Sequence, residues 1–173
     1  ISGREYGLLL KSNVAIEGDS IYSTIFKVAA SQDIDLINTD RSASQSNIGL
    51  KHLTLDGNWT NQGASPVNGF DIWAYAITGF YLEHVATIEA ASWACRIQLC
   101  DRVYINTFES IHGASTNADC IHFVDTINVT GTNFHLTSAG DDGLVIEALD
   151  ADISNYSLSN IYVKANTALA ADG

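Results

Sequence analysis

Short runs in which apolar and polar residues alternate cover most of the chain, and stretches with helical periodicity are nearly missing. Alternate side chains of a β-strand face opposite sides, so such runs predict strands with one buried face. Proline, which interrupts sheets, occurs once in 173 residues. The pattern predicts an all-β protein.

The runs recur at a period of about 25 residues, which indicates a repeat architecture. Each unit has a small first residue, a short alternating strand, a turn and a second alternating strand. The units begin near Gly69, Cys95, Cys120, Gly143 and Gly173. The second strands align as Ile48-Gly49-Leu50, Phe80-Tyr81-Leu82, Val103-Tyr104-Ile105, Ile127-Asn128-Val129 and Tyr156-Ser157-Leu158.

Strands this short cannot bury an apolar face alone, but stacked coils can, because each strand then pairs with its equivalents above and below. The repeat therefore predicts a parallel β-helix with coils of about 23 to 30 residues, forming a single domain over residues 1–173. An antiparallel sandwich is the alternative, and it does not explain the recurring small residues. We expect the chain to be a fragment, truncated at both ends, because it has no starting methionine and no signal-peptide pattern.

Composition narrows the possible partners. The 20 acidic and 8 basic residues give a net charge of −12, which argues against nucleic acid and anionic membranes. No apolar run reaches the roughly 18 residues of a membrane span, so we expect no membrane insertion. The cysteines, Cys95, Cys100 and Cys120, match no metal-binding spacing and are expected to be buried free thiols.

Two aspartates stand at equivalent places in the repeat, and a third lies beside one of them. Asp119 precedes the unit start at Cys120, and Asp142 precedes the start at Gly143, with Asp141 beside it. Neighbouring strands lie about 4.8 Å apart, so these carboxylates are predicted to lie side by side on successive coils. Repulsion favours keeping one of them protonated, and a protonated acid beside carboxylates suits glycoside hydrolysis. Two alternatives stay open, which are ordinary turn aspartates and a calcium site.

The chain resembles the polygalacturonase family of glycoside hydrolases, a branch of the pectin-lyase-like right-handed β-helices that many phage tailspikes also use. The segments "NIGLKHLTLDGNW" and "AASWACRIQLCDRVYI" resemble two coils of that family, "NADCIHF" stands where the family has Asn-Thr-Asp-Gly-Ile-Asp, and "AGDDGLVI" where it has Gly-Asp-Asp-Cys-Ile-Ala-Ile. The resemblance implies that Asp141 is the general acid and that Asp119 and Asp142 activate water, with inversion at the anomeric carbon. It also implies that Asn117 orients this group.

Two departures from the family concern the substrate. An aspartate, Asp172, occupies the place of the histidine in the family's Gly-His-Gly motif, and the family's basic Arg-x-Lys motif is not found. Since Arg96, Arg102 and Lys164 are the only basic residues after Lys51, we expect a neutral or lightly charged polysaccharide rather than galacturonan.

Other residues are candidates for lining the cleft. His122 and Glu147 follow the two aspartate positions, and Trp59, in a predicted turn, is a candidate for stacking on a sugar ring. Trp73 and Tyr75 are weaker candidates, and Trp93 is expected to pack in the core. His52 and His84 share one position of the repeat and are expected to form a stacked polar ladder.

We therefore expect an extracellular, endo-acting, inverting glycoside hydrolase that acts on a polysaccharide and needs no cofactor or metal. Its context would be a phage tailspike depolymerase, which would be a homotrimer, or a secreted enzyme. The alternatives are a polysaccharide lyase on the same fold and a virion shaft or adhesin that binds glycans without cutting them.

Overall fold

The structure is a computed structural model that describes residues 5–32, 34–62, 69–111 and 119–165. It confirms the predicted all-β parallel β-helix. The strands are β1 (Tyr6–Leu10), β2 (Ala15–Glu17), β3 (Ile25–Lys27), β4 (Asp35–Thr39), β5 (Gln45–Asp56), β6 (Ile72–Tyr75), β7 (Ile77–Ile88), β8 (Cys95–Gln98), β9 (Asp101–Ile111), β10 (Ile121–Val124), β11 (Ile127–Ala139), β12 (Leu144–Glu147) and β13 (Ser154–Ala165). A short 3-10 helix, Trp59–Asn61, follows β5. No helix in the described ranges is long and apolar enough to cross a membrane.

Two parallel sheets enclose the core. The short strands form a six-stranded sheet in the order β1-β4-β6-β8-β10-β12, which we call sheet A. The long strands form a seven-stranded sheet in the order β13-β11-β9-β7-β5-β2, with β3 beside β5, which we call sheet B. From β6 onward each coil supplies one short strand and then one long strand, so equivalent residues of successive coils stack in columns.

The long strands bend around the core at residues with left-handed backbone conformation. One such column, which we call the second-bend column, consists of His52, His84, Thr107, Asn133 and Asn160, all with φ between 49° and 61°. Asparagine tolerates this conformation better than most residues. The Asn160 side-chain amide also donates to Oδ1 of Asn133, at 2.6 Å, so the column is hydrogen-bonded between coils.

The predicted alignment of the second strands is correct for four units and wrong for one. Ile48, Phe80, Val103 and Tyr156 do share a column, but their partner on β11 is Val129, not Ile127. The next inward position of that coil is therefore Gly131, which pairs with Ile105. The ring of Phe134 fills the space, since a Cβ on Gly131 would lie 2.5 Å from its Cζ. Because glycine has no apolar side chain, an inward position that holds glycine cannot be recognised from the hydrophobicity pattern, and the register of the strand is then assigned wrongly.

The predicted coil starts at Gly69 and Cys95 are also displaced, because the residues equivalent to Cys120 in those coils are Asp71 and Ala94. Gly143 and Cys120 are equivalent, because Ile121 pairs with Leu144. Cys95 pairs with Ile72 and, through the register of β8 with β10, lies opposite Ile121 rather than Cys120. The start near Gly173 lies outside the described residues. All three cysteines are buried free thiols, and burial raises the pKa of Cys100 to about 12.

Candidate functional site

The three aspartates lie together at the start of two neighbouring coils. Asp119 lies two residues before the first residue of β10, and Asp141 and Asp142 lie in the turn between β11 and β12. One carboxylate oxygen from each of the three lies within 4.8 Å of the others. Asp119 is only 4% exposed, whereas Asp141 and Asp142 are exposed. The group therefore has one fixed carboxylate and two that solvent or a ligand can reach.

The backbone holds this arrangement in place. The N–H of Cys120 donates to the carbonyl of Asp142 at 3.0 Å, as part of the pairing between coils. The N–H of Asp142 donates to Oδ1 of Asp119 at 3.2 Å. Because both bonds join adjacent coils, the separation of the carboxylates follows from the stacking of the strands.

A histidine joins Asp119 to a second acidic residue. Nδ1 of His122 lies 2.7 Å from Oδ2 of Asp119, and its Nε2 lies 3.1 Å from Oε2 of Glu147. His122 is on the outer face of β10, and Glu147 ends β12 on the next coil. The imidazole is 7% exposed, so it is held between the two carboxylates with one edge toward the surface. His122 and Glu147, both predicted from the sequence to line the cleft, thus lie beside the aspartates.

Aromatic and basic side chains extend the site along the outer face of sheet A. The Trp93 and His122 rings meet edge to face, with centroids 5.3 Å apart. The guanidinium of Arg96 lies 4.5 Å from the centroid of the Trp93 ring. Arg96 pairs with His122 across the strands. On the neighbouring strand β6, Trp73 pairs with Arg96, and the guanidinium of Arg41 lies 4.2 Å from the centroid of its ring. Such positions suit cation–π contacts.

The remaining predicted residues are not part of this group. Trp59 begins the 3-10 helix after β5 and is partly exposed there, two coils away from Asp119. Asn117 and Asp172 lie outside the described residues.

Sequence reasoning missed the basic part of the site and misplaced Trp93. Trp93 does not belong to the interior cluster. It stacks on Phe70 on the outer side, with ring centroids 5.3 Å apart. Arg96 was counted only as one of few basic residues. Its position follows from the corrected register, since moving Cys95 by one place puts Arg96 next to His122.

The carboxylates are also potential ligands for a cation. Their oxygens suit hard ions such as Ca²⁺, which takes 6–8 oxygen ligands, so the three carboxylates of this group would need bidentate binding or water molecules to complete its shell. The expectation that no metal is needed stays a prediction.

Comparison with known proteins gives a result only at the level of structure. No protein-family model and no curated protein sequence matches the chain. A protein of Parabacteroides merdae described as a candidate glycosyl hydrolase superposes with a TM-score of 0.71 at 17% identity, over 91% of this chain and 75% of that one. The A-module of a mannuronan C-5 epimerase from Azotobacter vinelandii superposes with a TM-score of 0.53 at 12% identity, over 95% of this chain and 63% of that one. At these low sequence identities, both comparisons show a similarity of fold alone. Membership of the polygalacturonase-like family is not shown by them.

Proposed function

We propose that this β-helix acts on a polysaccharide as a glycoside hydrolase. The observation that carries the proposal is the grouping of Asp119, Asp141 and Asp142, whose oxygens lie within 4.8 Å of one another beside a surface bearing aromatic side chains. Glycoside hydrolysis needs a carboxylic acid and a carboxylate on the two sides of one bond. The description of the P. merdae protein supports the substrate class.

Each carboxylate is assigned a role that its position supports. Asp141 is exposed, so a glycosidic oxygen can reach it and accept its proton. Asp119 is fixed by the Asp142 N–H and by Nδ1 of His122, and with Asp142 it holds and activates the attacking water. Asp142 is exposed on the next coil, so its carboxylate can reach the same water.

The stereochemical outcome is the finer part of the proposal. The resemblance to polygalacturonases implies inversion. Inverting pairs are usually about 6.5–9.5 Å apart and retaining pairs about 5–5.5 Å, so oxygens within 4.8 Å of one another fall nearer to the retaining spacing. We propose inversion because both oxygens of Asp119 already have contacts, which makes it a poor nucleophile. The anomeric configuration of the first product, followed by NMR, decides between the two outcomes.

A second candidate function has an observation of its own. Arg96 lies across from His122, at the edge of the carboxylate group. The expectation of a neutral substrate rests on the small number of basic residues in the chain, and the position of Arg96 beside His122 supports the alternative of an acidic one. An arginine that binds a uronate carboxylate, with His122 as the base, suits polysaccharide lyase chemistry. The epimerase among the structural neighbours is named for a uronate polymer.

Incubation with purified neutral and acidic polysaccharides separates the two candidates from a glycan-binding shaft. A hydrolase releases reducing ends without a rise in ultraviolet absorbance. A lyase releases reducing ends and also forms a double bond that absorbs in the ultraviolet, and a glycan-binding shaft does neither.

We propose that the protein acts outside the cell, as a secreted enzyme or a trimeric phage tailspike depolymerase. Sedimentation of the purified protein tests the trimer.

A further inference from the structure

A cluster of two histidines and a glutamate lies on sheet B, away from the carboxylate group of sheet A. Its members are His52 on β5 and Glu83 and His84 on β7, and one potential ligand atom from each lies within 4.8 Å of the others. The imidazole rings of His52 and His84 are stacked, with centroids 5.2 Å apart and planes 26° apart. From this geometry we propose that the cluster is a binding site for a divalent transition-metal ion of the zinc type.

The two histidines occupy a column whose other positions hold threonine and asparagine. They are the first two residues of the second-bend column, whose later positions are Thr107, Asn133 and Asn160. The side-chain amides of the two asparagines are hydrogen-bonded to each other. Two successive imidazoles cannot form that amide ladder, but they present nitrogen atoms that are common transition-metal ligands.

The backbone fixes the distance between the histidines. Lys51 pairs with Glu83 and Leu53 with Val85, so His52 and His84 lie directly opposite each other on adjacent strands. Both have left-handed backbone conformation, with φ of 52° and 49°. Ligand atoms of a tetrahedral zinc site lie roughly 3.3–3.8 Å apart. Because the ligand atoms already lie within 4.8 Å of one another on exposed or half-exposed side chains, we expect side-chain rotation to reach that spacing without movement of the strands.

The donor set selects the class of ion. Two imidazoles and one carboxylate suit Zn²⁺, Cu²⁺ or Ni²⁺, whereas Ca²⁺ and Mg²⁺ require mostly oxygen ligands. Lys51 is the competitor, because its Nζ lies 3.1 Å from Oε2 of Glu83. A bound ion would displace this ammonium group, and it would cross-link the coils of β5 and β7.

Calorimetric titration with Zn²⁺ tests the site. We use the protein in buffer with millimolar Ca²⁺, so that a hard ion competes with Zn²⁺ for groups that offer only oxygen ligands, such as the Asp119 group. We expect one zinc per chain. At 100 times Kd, the melting temperature should rise by roughly 5–10 °C. His84→Asn and His52→Asn keep a residue that this column accepts elsewhere, and each should weaken binding by at least about tenfold.

Three further variants sharpen the test. Glu83→Gln should also weaken zinc binding, and Lys51→Gln should strengthen it, because the competing ammonium group is removed. The matched control is His135→Asn, since His135 is a sheet B histidine that contacts Tyr162 and not the cluster. A wild-type protein that binds no zinc, or a His84→Asn protein that binds it as tightly as the wild type, would overturn the proposal.

Discussion

Nδ1 of His122 lies 2.7 Å from Oδ2 of Asp119, and this contact joins the most buried member of the carboxylate group to the outer face of sheet A. The other ring nitrogen contacts Glu147 at 3.1 Å. A single imidazole therefore links two coils and holds one proposed catalytic carboxylate in place.

Removing the imidazole of His122 should lower the stability of the folded protein. In His122→Ala, Asp119 keeps the Asp142 N–H but loses the imidazole nitrogen that lies 2.7 Å from its Oδ2, and leaving a buried carboxylate with fewer polar partners should cost about 1–3 kcal/mol of unfolding free energy. Glu147→Gln removes only the negative charge of the other partner, whose side chain is 40% accessible, and should cost less than about 1 kcal/mol. Urea denaturation of both variants measures the difference. Equal losses would show that Asp119 does not depend on His122.

Asp71 provides a prediction about pH. It is fully buried, and neither carboxyl oxygen has a hydrogen-bond partner among the described residues. Burial, with a smaller contribution from the charge of Asp56, raises the pKa of Asp71 well above its ordinary value of 3.8. The folded protein therefore keeps this proton at a pH where the unfolded chain has lost it, and the contribution of Asp71 to stability falls as the pH rises above about 4.

The variant Asp71→Asn isolates this effect. Asparagine stays neutral at every pH, so the stability of the variant relative to the wild type should increase between pH 4 and pH 7. Denaturation at several pH values measures this difference, in which the other titrating groups largely cancel. A difference that does not change with pH would contradict the assignment of a neutral buried Asp71.

The core columns predict a contrast between neighbouring residues of β9. Ile105 is fully buried, whereas the next residue on the strand, Tyr104, is 48% exposed. Ile105→Ala should leave a cavity and cost about 2–5 kcal/mol, while Tyr104→Ala should change stability by roughly 0.5 kcal/mol or less. Melting temperatures of the two variants check this. The fraction of Ile105→Ala that remains folded should keep its specific activity, because the site is on the other sheet.

The fold was predictable because its information is local and repeated. Alternating strands and small residues recur along the chain, and an error in one unit leaves the others in place. Gly131 shows the limit, since a core position filled by the ring of Phe134 from three residues away carries no hydrophobic signal of its own.

The site was predictable only as far as it follows the repeat. Asp119 and Asp142 occupy equivalent positions of adjacent coils, so a count of residues was enough to place them together. The contact of Asp119 with His122 depends on the turn geometry before β10. The contact of Arg96 with Trp93 depends on a register that the sequence placed one residue away. Tertiary packing decides the direction of side chains at turns, and the period of a sequence pattern gives no information about that packing.

The most direct test of the proposed function is the rate at which Asp141→Asn releases reducing ends from the polysaccharide that the wild-type protein cuts. The matched control is Asp152→Asn, which removes an exposed carboxylate after β12, outside the group. If Asp141 is the general acid, its variant should be slower by a factor of about 10² to 10⁴, with an unchanged melting temperature, and the control should cut at the wild-type rate. An Asp141→Asn protein with wild-type turnover, or a wild-type protein that releases no reducing ends from any polysaccharide offered, would contradict the account.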